Sequence, residues 1–430
     1  MAVLNKRIAE RRAHVGVVGL GHVGLPLSLA AAGAGFPVTG VDIDSHRIDM
    51  LERAIVPFAP VHPPDVEAAL RSGRFRPTRT TEKLREAEVI AICVPTPLKN
   101  GLPDTSFLEA AAEDVARRLQ PGRLVILEST TYPGTTEGLL REILESSGLR
   151  AGQDFSLGFS PQRIDPGNAR FRLANVPKLV AGVDRRSTEL MTAFYECFIA
   201  QVIPLSSPKT AEMAKLLENT YRHVNIALVN EMAILCHELG IDIWEVIEAA
   251  STKPFGFQPF FPGPGWGGPC IPVDPVYLSW RARQRGHASH FIELAQEMNE
   301  RMPAYVVQRI GECLKEEEKS LEASSVLLLG AAYKADVADL RESPALGIIS
   351  GLRREGASVA YHDPYVGEVA LETGALARSE LSEQTLREAD IVVVVTNHST
   401  YDWAWVARHA PLVLDTRNAL EGQTGRIVKL

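Results

Sequence analysis

A cysteine in an irregular loop is the first residue of this chain whose setting suggests covalent chemistry. Cys270 ends the segment Phe260-Phe-Pro-Gly-Pro-Gly-Trp-Gly-Gly-Pro-Cys270, in which prolines lack a backbone donor and glycines permit unusual backbone angles. A thiol among exposed loop N–H groups could act as a nucleophile on an anionic substrate. A structural thiol would fit the same segment, so the pattern by itself leaves both interpretations open.

A lysine and an asparagine form the second candidate pair. Lys215 and Asn219 are four residues apart in a segment of helical periodicity, so their side chains project from one face. An ammonium group and a carboxamide can together stabilise an oxyanion. A solvated helix face would show the same spacing, and spacing alone favours that second interpretation.

A glycine-rich turn near the N-terminus has the spacing of a dinucleotide-binding fingerprint. The segment Gly19-Leu20-Gly21-His22-Val23-Gly24 is G-x-G-x-x-G, and it follows an apolar strand and opens a helical pattern. Gly19 permits the tight turn, Gly21 lets the backbone approach a pyrophosphate, and Gly24 lets the helix pack on the strand. The pyrophosphate would lie at a helix N-terminus, where free N–H groups favour negative charge.

An acidic residue at the end of the next predicted strand indicates which cofactor the turn binds. Asp42 lies eighteen residues beyond Gly24. Its carboxylate would accept hydrogen bonds from the adenosine ribose and repel a 2′-phosphate, which favours NAD over NADP. Arg47 lies close enough in sequence to leave NADP open.

These residues need a scaffold, and the first half of the chain alternates short apolar strands with amphipathic helices. That alternation predicts a parallel, doubly wound sheet. The helices include Thr105–Leu119 and Thr135–Ser146. The predicted strands are His14–Val18, Pro37–Val41, Glu88–Cys93, Leu124–Glu128, Ser156–Phe159 and Lys178–Ala181.

The middle of the chain is predicted to be helical. Ser207–Leu239 contains no glycine and no proline after Pro208, and its apolar periodicity predicts one helix of about 30 residues, about 45 Å long. Further helices are predicted at Asp242–Ala250 and Phe291–Lys315. The charged run Lys315–Lys319 is interpreted as a solvated helix end that leads into a linker.

Strands and helices then alternate again, as in a diverged duplication of the first half. The predicted strands are Ser325–Leu329, Ser358–His362, Ile391–Val395 and Leu412–Asp415, with a helix at Ser343–Arg354. The predicted fold is therefore α/β, with two Rossmann-like doubly wound domains joined by a central helical domain with one long helix. The expected domain boundaries are 1–205, 206–318 and 319–430.

Composition limits the class of protein. A chain of 430 residues is too long for one domain, and a net charge of −8 does not suit a nucleic-acid-binding protein. Five cysteines without a Cys-x-x-Cys pair argue against a disulfide framework or a zinc site and favour a reducing cytoplasm. The histidines form no metal-binding motif, so no metal is assigned. The uncharged stretch Val15–Phe36 is interpreted as strand, turn and helix, and no membrane span is expected.

Several motifs together resemble the UDP-glucose/GDP-mannose dehydrogenase family, most closely its branch that acts on UDP-N-acetylhexosamines. The resemblance extends over nearly the whole chain, and the order of its motifs makes it specific. The matching segments are Gly19–Gly24, Cys93-Val-Pro-Thr-Pro97, Glu128-Ser-Thr130, Ser160-Pro-Gln-Arg-Ile-Asp-Pro-Gly167, Lys215-Leu-Leu-Glu-Asn219, Phe255–Asp274 and Lys334-Ala-Asp-Val-Ala-Asp-Leu-Arg-Glu-Ser-Pro344.

The resemblance implies an NAD-binding domain, a helical middle that forms a homodimer, and a C-terminal domain that holds UDP. It also implies a four-electron oxidation of the sugar C6 alcohol to a carboxylate with two NAD. Cys270 would form first a thiohemiacetal and then a thioester with the sugar C6, while Lys215 and Asn219 would stabilise the C6 oxyanion. Asp274 and Thr130 would hold the water that relays the first proton.

The resemblance further implies which residues bind the two ligands. Arg341 would reach NAD from the C-terminal domain. The residues expected to contact NAD are Gly19, Leu20, Gly21, His22, Val23, Gly24, Asp42, Arg47, Val94, Pro95, Thr96, Thr130 and Arg341. The residues expected to contact the UDP-sugar are Gln162, Arg163, Lys215, Asn219, Phe261, Gly263, Gly265, Gly267, Lys334 and Arg417.

Two positions depart from the family pattern. Gln162 stands where the usual Ser-Pro-Glu-Arg has glutamate, and a carboxamide cannot take the proton that thioester hydrolysis requires. Pro269 stands where the usual Gly-Gly-His-Cys has histidine, and it removes an N–H beside Cys270. Three explanations compete: normal turnover with Asp274 or water substituting, early termination or slow hydrolysis, or an unusual sugar. A partial oxidoreductase and a nucleotide-sugar-binding protein without turnover stay open as alternatives.

Overall fold

A computed structural model describes residues 2–56, 61–164, 170–171, 173–372 and 374–430 of the chain. Asp165-Pro-Gly167, the end of the motif that begins at Ser160, lies outside the described residues. The chain divides into two compact units. The first contains the residues up to Glu218 together with Val276–His287, and the second contains Asn219–Pro275 and Ala288–Leu430.

The first unit is built on an eight-stranded sheet. Its strands are β1 (Val15–Val18), β2 (Val38–Val41), β3 (Phe75–Thr78), β4 (Val89–Ile92), β7 (Leu124–Leu127), β8 (Ser156–Phe159), β9 (Lys178–Gly182) and β10 (Val202–Pro204), while β5 (Leu98–Lys99) and β6 (Leu102–Pro103) form a separate hairpin. The strand order is β10-β9-β8-β7-β4-β1-β2-β3. The order reverses between β1 and β4, which is the switch point of a Rossmann-type sheet. The predicted doubly wound fold is therefore confirmed, with one departure, since β9 runs antiparallel to β8.

Both faces of this sheet are covered by apolar side chains. Val89 and Ala91 of β4 belong to one apolar cluster, and Ile90 and Ile92 belong to another. Continuous apolar strands of this kind are typical of parallel sheets buried on both sides. The helices of this unit are α1 (Ala2–Ala9), α2 (Gly24–Gly33), α3 (Ser45–Glu52), α4 (Pro63–Arg71), α5 (Ser106–Ala116), α6 (Arg141–Glu145) and α7 (Arg185–Tyr195), with a 3₁₀ turn at Thr81–Glu86 and a π-helical turn at Thr136–Leu140.

The strand β3 is absent from the sequence prediction, and it contains Pro77, a residue that argues against a central strand. The structure places β3 at the edge of the sheet, beside β2. At an edge, the missing N–H of Pro77 need not interrupt the hydrogen bonds between two strands.

The long helix α8 (Pro208–Glu238) has 31 residues, which confirms the helix predicted for Ser207–Leu239. It starts in the first unit and continues into the second. The helices that follow are α9 (Ile243–Ser251), α10 (Asp274–Arg283) and α11 (His290–Glu316). The helix α10 is absent from the sequence prediction. Among the described residues, no helix has the length and apolar character needed to cross a bilayer.

The second unit contains a smaller parallel sheet. Its strands are β11 (Ser325–Leu329), β12 (Ser358–His362), β15 (Ile391–Val394), β16 (Val413–Asp415) and β17 (Ile427–Lys429), with a hairpin of β13 (Glu368–Leu371) and β14 (Gly374–Ala377). The strand order is β12-β11-β15-β16-β17, which again reverses beside the first strand and confirms the second Rossmann-like prediction. The accompanying helices are α12 (Pro344–Arg354), α13 (Glu383–Glu388) and α14 (Trp403–His409), with a 3₁₀ turn at Leu321–Ala323.

Candidate active site

The glycine-rich turn joins β1 to α2, and its shape depends on glycine. Gly19 has a φ of +90°, and a Cβ there would lie 2.7 Å from the carbonyl oxygen of Cys93. A Cβ on Gly24 would lie 1.8 Å from the carbonyl oxygen of Gly19, so the start of α2 packs directly on the turn. A Cβ on Gly21 would meet no atom within 4 Å. The backbone at Gly21 is therefore open to a phosphate group, as the fingerprint requires. Of the other turn residues, Leu20 is buried, whereas His22 and Val23 are partly exposed.

Asp42 follows β2 and is tied to the same turn. Its Oδ2 accepts hydrogen bonds from the Leu20 N–H at 2.7 Å and from Arg47 Nη1 at 2.8 Å, and its Oδ1 accepts from the Asp44 N–H at 2.9 Å. Asp44 also caps α3 by accepting from the Arg47 N–H. Because the Arg47 guanidinium is paired with Asp42, the sequence prediction of NAD rather than NADP fits this geometry.

The carboxyl ends of β4 and β7 bring the next predicted NAD residues together. Val94, Pro95 and Thr96 follow β4, and Thr130 follows β7. Thr96 Oγ1 donates to the carbonyl oxygen of Thr130 at 2.7 Å, and Ser129 Oγ donates to the carbonyl oxygen of Val94 at 2.7 Å. Since β4 also pairs with β1, these segments share the sheet edge of the glycine-rich turn.

A buried glutamate, which the sequence analysis did not single out, joins this edge to the long helix. Glu212 is 0% exposed and accepts hydrogen bonds from the Gly134 N–H at 2.5 Å, the Thr136 N–H at 2.9 Å and Thr136 Oγ1 at 2.7 Å. Burial raises the pKa of Glu212, although these hydrogen bonds oppose the rise. Lys215 lies three residues further along α8 and is 6% exposed. Glu212 thus connects the segment after Thr130 to the helix turn that carries Lys215.

A buried ion pair holds the segment that precedes Gln162. Lys178 Nζ donates to Glu128 Oε2 at 2.5 Å and to the carbonyl oxygen of Pro161 at 3.0 Å. The Tyr195 hydroxyl donates to the other oxygen of Glu128. Burial and the Glu128 charge raise the pKa of this hydroxyl well above its ordinary value. Neither Lys178 nor Tyr195 has a role predicted from the sequence, since their partners are distant in the chain.

Gln162 and Arg163 are both engaged within the first unit. Gln162 Nε2 donates to the carbonyl oxygen of Ile164 at 3.1 Å. Arg163 Nη1 donates to the carbonyl oxygen of Pro177 at 2.7 Å, and its Nη2 lies 2.7 Å from Glu218 Oε1. Arg163 is therefore paired with the helix that carries Lys215, and its contact with a substrate remains a prediction.

In the second unit, three predicted catalytic residues come together. Asn219 Nδ2 donates to Asp274 Oδ2 at 2.5 Å, and the Asp274 N–H donates to the carbonyl oxygen of Cys270 at 2.8 Å. Cys270 is exposed, whereas Asp274 is 4% exposed. Since α10 begins at Asp274, the thiol lies just before a helix N-terminus, which is a favourable position for a nucleophile.

The loop that precedes Cys270 is held against α8 and α9. The ring of Phe261 stacks on that of Trp244, with centroids 6.0 Å apart, yet Phe261 remains 59% exposed. The Gly263 N–H donates to Asn230 Oδ1 at 3.0 Å. Gly265 has a φ of +124°, a conformation that only glycine adopts without strain. Asn230, which fixes this loop, has no role predicted from the sequence.

The same loop contacts several predicted ligand-binding residues of the second unit. A Cβ on Gly263 would lie 2.5 Å from Arg417 Nη1, and a Cβ on Gly267 would lie 2.7 Å from Tyr333 Cβ, next to Lys334. The Gly268 N–H donates to the carbonyl oxygen of Arg341 at 2.8 Å. Burial lowers the pKa of Arg417 to about 10, opposed by Asp415, so its guanidinium stays charged at neutral pH. The glycines therefore let the loop backbone approach the guanidinium of Arg417, which suits an anionic ligand, whereas the guanidinium of Arg341 is paired with Asp339.

Comparison with known proteins matches most of the chain to one family. Three models of the UDP-glucose/GDP-mannose dehydrogenase family match: the NAD binding domain over residues 13–199, the central domain over residues 209–301 and the UDP binding domain over residues 327–422.

Individual proteins are also similar. The chain is 35% identical over 417 residues to a UDP-N-acetyl-D-mannosamine dehydrogenase of Pyrococcus horikoshii, covering 95% of this chain and 96% of that protein. It is 36% identical over 393 residues to a UDP-N-acetyl-D-glucosamine 6-dehydrogenase of Salmonella typhi, covering 90% of each. A solved structure of a UDP-D-ManNAc dehydrogenase from Pyrococcus horikoshii superposes with a TM-score of 0.87 at 33% identity, covering 96% of this chain and 99% of that one.

Proposed function

Because this chain belongs to the UDP-glucose/GDP-mannose dehydrogenase family, we propose that it oxidises the C6 alcohol of a UDP-N-acetylhexosamine to the uronate. It is a nucleotide-sugar dehydrogenase that uses NAD, and its substrate class is a UDP-sugar. The names of the similar mannosamine and glucosamine enzymes support an N-acetylated sugar. A UDP-hexose without the N-acetyl group is the alternative substrate for the same reaction.

One observation carries the catalytic proposal. Asn219 Nδ2 donates to the Asp274 carboxylate, and the Asp274 N–H donates to the carbonyl oxygen of Cys270, so the amide, the carboxylate and the residue that carries the exposed thiol belong to one unit. Lys215 projects from the same face of α8 as Asn219. A thiol, an oxyanion-stabilising pair and a proton acceptor are the groups that oxidation of an alcohol to a carboxylate through a thioester requires.

The first unit fits NAD. Gly21 leaves the backbone open where the pyrophosphate would approach the N-terminus of α2. Asp42 directly follows the adjacent strand β2, and its carboxylate is suited to bind ribose hydroxyls. We propose that the other contacts come from Val94, Pro95 and Thr96 and from Thr130. When bound, NAD supplies the hydride acceptor for C6.

The residues of the chain would act in sequence on the C6 carbon. Asp274, through a water molecule, would take the proton of the C6 hydroxyl, and the Lys215 ammonium and Asn219 amide would stabilise the oxyanion. Loss of the first C6 hydride to NAD would leave an aldehyde, and the Cys270 thiolate would add to its carbon to give a thiohemiacetal. Loss of the second hydride to another NAD would give the thioester. Water would then attack the thioester carbon, so that the uronate leaves and the thiol is regenerated.

The second unit would hold the nucleotide part of the substrate. Arg417 and Lys334 would supply positive charge, and the backbone of Phe261–Gly267, which contacts Arg417 and Tyr333, would supply N–H groups. We assign residues 1–205 to NAD binding, residues 206–318 to dimerisation and catalysis, and residues 319–430 to UDP binding. An exposed nucleophilic thiol suits a reducing compartment, which supports a cytoplasmic location.

The experiment that tests the activity is a panel of UDP-sugars followed by absorbance at 340 nm, with mass spectrometry of the products. Full oxidation yields two NADH for each sugar consumed, whereas release of an aldehyde yields one and binding without turnover yields none. Cys270→Ser should retain some first hydride transfer and form no uronate. The matched control Cys236→Ser changes a partly buried thiol of α8 and should leave the stoichiometry at two.

Gln162 supports a second candidate, in which thioester hydrolysis is slow. Its amide donates to the carbonyl oxygen of Ile164, and a carboxamide can orient water without accepting its proton. In that case the wild-type enzyme should show a burst of NADH and accumulate protein that carries the acylated nucleotide sugar. Gln162→Glu should then raise the steady-state kcat. No burst, no adduct on intact-protein mass spectrometry and no gain from Gln162→Glu would together reject slow hydrolysis.

A further inference from the structure

A buried histidine and aspartate lie in the second unit and take no part in the chemistry proposed above. Asp363 follows β12 and His398 follows β15, and both are 0% exposed. His398 Nε2 lies 2.9 Å from Asp363 Oδ2, and the Asp336 N–H donates to His398 Nδ1 at 2.9 Å. A backbone N–H can only donate, so Nδ1 carries no proton. The imidazole is therefore the neutral tautomer whose Nε2–H donates to Asp363.

Asp363 also binds the turn that follows β11. Its Oδ2 accepts from the Ala331 N–H at 2.7 Å and from the Ala332 N–H at 2.9 Å. Burial alone would raise the pKa of Asp363, but hydrogen bonds from His398 and from these two N–H groups lower it to about 2. Asp363 is consequently a carboxylate at every physiological pH.

The segment Ala331–Asp336 is therefore held at both ends. Asp363 holds its first two N–H groups, and His398 holds the N–H of Asp336, whose Oδ1 accepts from the Ser399 N–H at 2.9 Å. Asp336 has a φ of +62°, which is unfavourable for a residue other than glycine and needs such support. Lys334 lies between the two anchored ends.

Aromatic rings enclose the histidine. The Tyr365 ring centroid lies 5.1 Å and the Tyr401 ring centroid 5.8 Å from that of His398. Exclusion of water strengthens the hydrogen bonds to His398, since no solvent competes for its nitrogens.

Asp42 of the first unit occupies the position equivalent to Asp363, but its carboxylate has a different partner. Gly19 and Gly330 each follow the first strand of their sheet with a φ of +90°. Asp42 and Asp363 each follow the next strand of the sheet and accept from an N–H just after that glycine. Asp42 pairs with Arg47, whose side chain is 31% exposed. Asp363 pairs instead with the buried imidazole of His398. Asp363 is thus not available to bind a ligand, and it stabilises the turn that follows β11.

We propose that His398 is a positioning residue for nucleotide binding: together with Asp363 it fixes the segment Ala331–Asp336 and so sets the place of Lys334. This inference rests on the proposed role of Lys334 in holding the UDP part of the substrate. Loss of the two hydrogen bonds should loosen the segment and weaken UDP binding, while the steps at Cys270 are unchanged once the substrate is bound.

Two near-isosteric variants test separately the hydrogen bonds made by the two ring nitrogens of His398. The carboxamide oxygen of His398→Asn can take the place of Nδ1 and accept from the Asp336 N–H. The carboxamide of His398→Gln can take the place of Nε2 and donate to Asp363. The full chain is titrated with UDP by calorimetry, and the KM for the UDP-sugar, the KM for NAD and kcat are measured alongside. His409→Asn, in which another largely buried histidine of the same unit changes, is the matched control.

His398→Ala should weaken UDP binding by about tenfold or more, as expected for the loss of about one net hydrogen bond. His398→Asn and His398→Gln should each recover part of this loss, and the KM for NAD and kcat should change less than about twofold. An unchanged UDP affinity in a folded His398→Ala, or an equal fall in kcat, would overturn the proposal. If Lys334→Met binds UDP as the wild type does, the proposed role of Lys334 fails and the inference fails with it. If Lys334→Met weakens binding and His398→Ala does not, only the inference fails.

Discussion

At the residue scale, the Asp42 carboxylate is the group that can distinguish the two nicotinamide cofactors. It contacts the Leu20 N–H of the glycine-rich turn and the guanidinium of Arg47. A 2′-phosphate on the ribose would bring negative charge beside it, so kcat/KM should be at least about tenfold higher with NAD than with NADP. Asp42→Ala should narrow this ratio by releasing Arg47. Steady-state kinetics with NAD and with NADP measures this ratio of kcat/KM values in the wild type and the variant.

The control for this prediction is Asp44→Ala, which removes the neighbouring carboxylate that caps α3 and lies 3.4 Å from Arg47 Nη2, while Asp42 still holds Arg47 Nη1. Its preference for NAD should stay close to that of the wild type. Similar kcat/KM values for NAD and NADP in the wild-type enzyme would contradict the prediction.

His223 makes the stability of the chain depend on pH. It lies on α8 one turn beyond Asn219, and it is 0% exposed. Burial lowers the pKa of its imidazole to about 4, a fall that the backbone of Ile292 opposes. The unfolded chain binds the proton near the ordinary pKa of about 6.5, so the free energy of unfolding should be greatest above that pH. It should fall by up to about 3 kcal/mol as the pH drops towards 4.

Urea unfolding between about pH 7.5 and 5 measures this dependence. His223→Phe keeps a ring in the cavity and should show a flatter pH profile than the wild type. His287→Phe changes an exposed histidine and should keep the wild-type slope. Equal slopes for wild type and His223→Phe would mean that His223 is not protonated on unfolding in this range.

At the element scale, Glu212 determines how the first turns of α8 meet the segment that follows β7. Its carboxylate accepts from three donors on Gly134 and Thr136, and Lys215 follows three residues later. In Glu212→Gln, an amide NH₂ group would face a backbone N–H, and one buried donor would lose its acceptor. We expect kcat to fall by about tenfold and the free energy of unfolding by about 1–3 kcal/mol.

Kinetics and urea unfolding of the same variant test this expectation. Glu137→Gln is the control, because Glu137 lies on the adjacent helical turn and its carboxylate is 3.5 Å from the exposed Lys209. That variant should change neither quantity appreciably. A Glu212→Gln enzyme with lower stability and wild-type kcat would limit the role of Glu212 to folding.

At the scale of the whole molecule, α8 has an apolar face that stays largely exposed in the part of the chain that the structure describes. Leu217, Tyr221, Leu228 and Leu235 are 47–58% exposed and follow one another at intervals of four and seven residues, which places them on one side of the helix. Leu216, in contrast, is 0% exposed and packs within the chain. An exposed apolar stripe of this length supports the proposed homodimer.

Light scattering at micromolar concentration should therefore give about twice the chain mass of 46.9 kDa. Leu228→Lys places a charge in the middle of the stripe and should shift the protein towards a monomer. Val3→Lys is the control, since Val3 is 71% exposed on α1, away from the stripe in sequence. A wild-type protein that is a monodisperse monomer of about 47 kDa would refute the dimer.

Local pattern was sufficient to predict much of this protein. Apolar periodicity located α8 to within one residue at each end, and continuous apolar runs located most central strands of both sheets. The spacing of Gly19, Gly21 and Gly24 predicted a turn in which glycine is needed for steric reasons. These features follow from the sequence because periodicity and backbone sterics depend on neighbours only a few residues away.

The tertiary structure decided which distant polar groups share one environment. Glu212 meets Thr136 across 76 residues, Lys178 meets Glu128 across 50, and His398 meets Asp363 across 35. Each of these side chains is, in the sequence, a polar residue without a local partner. Burial makes an unsatisfied polar group costly, so the folded chain brings such groups together, but spacing along the chain does not reveal which of them will meet. The antiparallel direction of β9 and the edge position of β3 also do not follow from local sequence, because the neighbours of a strand are set by the folding of the whole sheet.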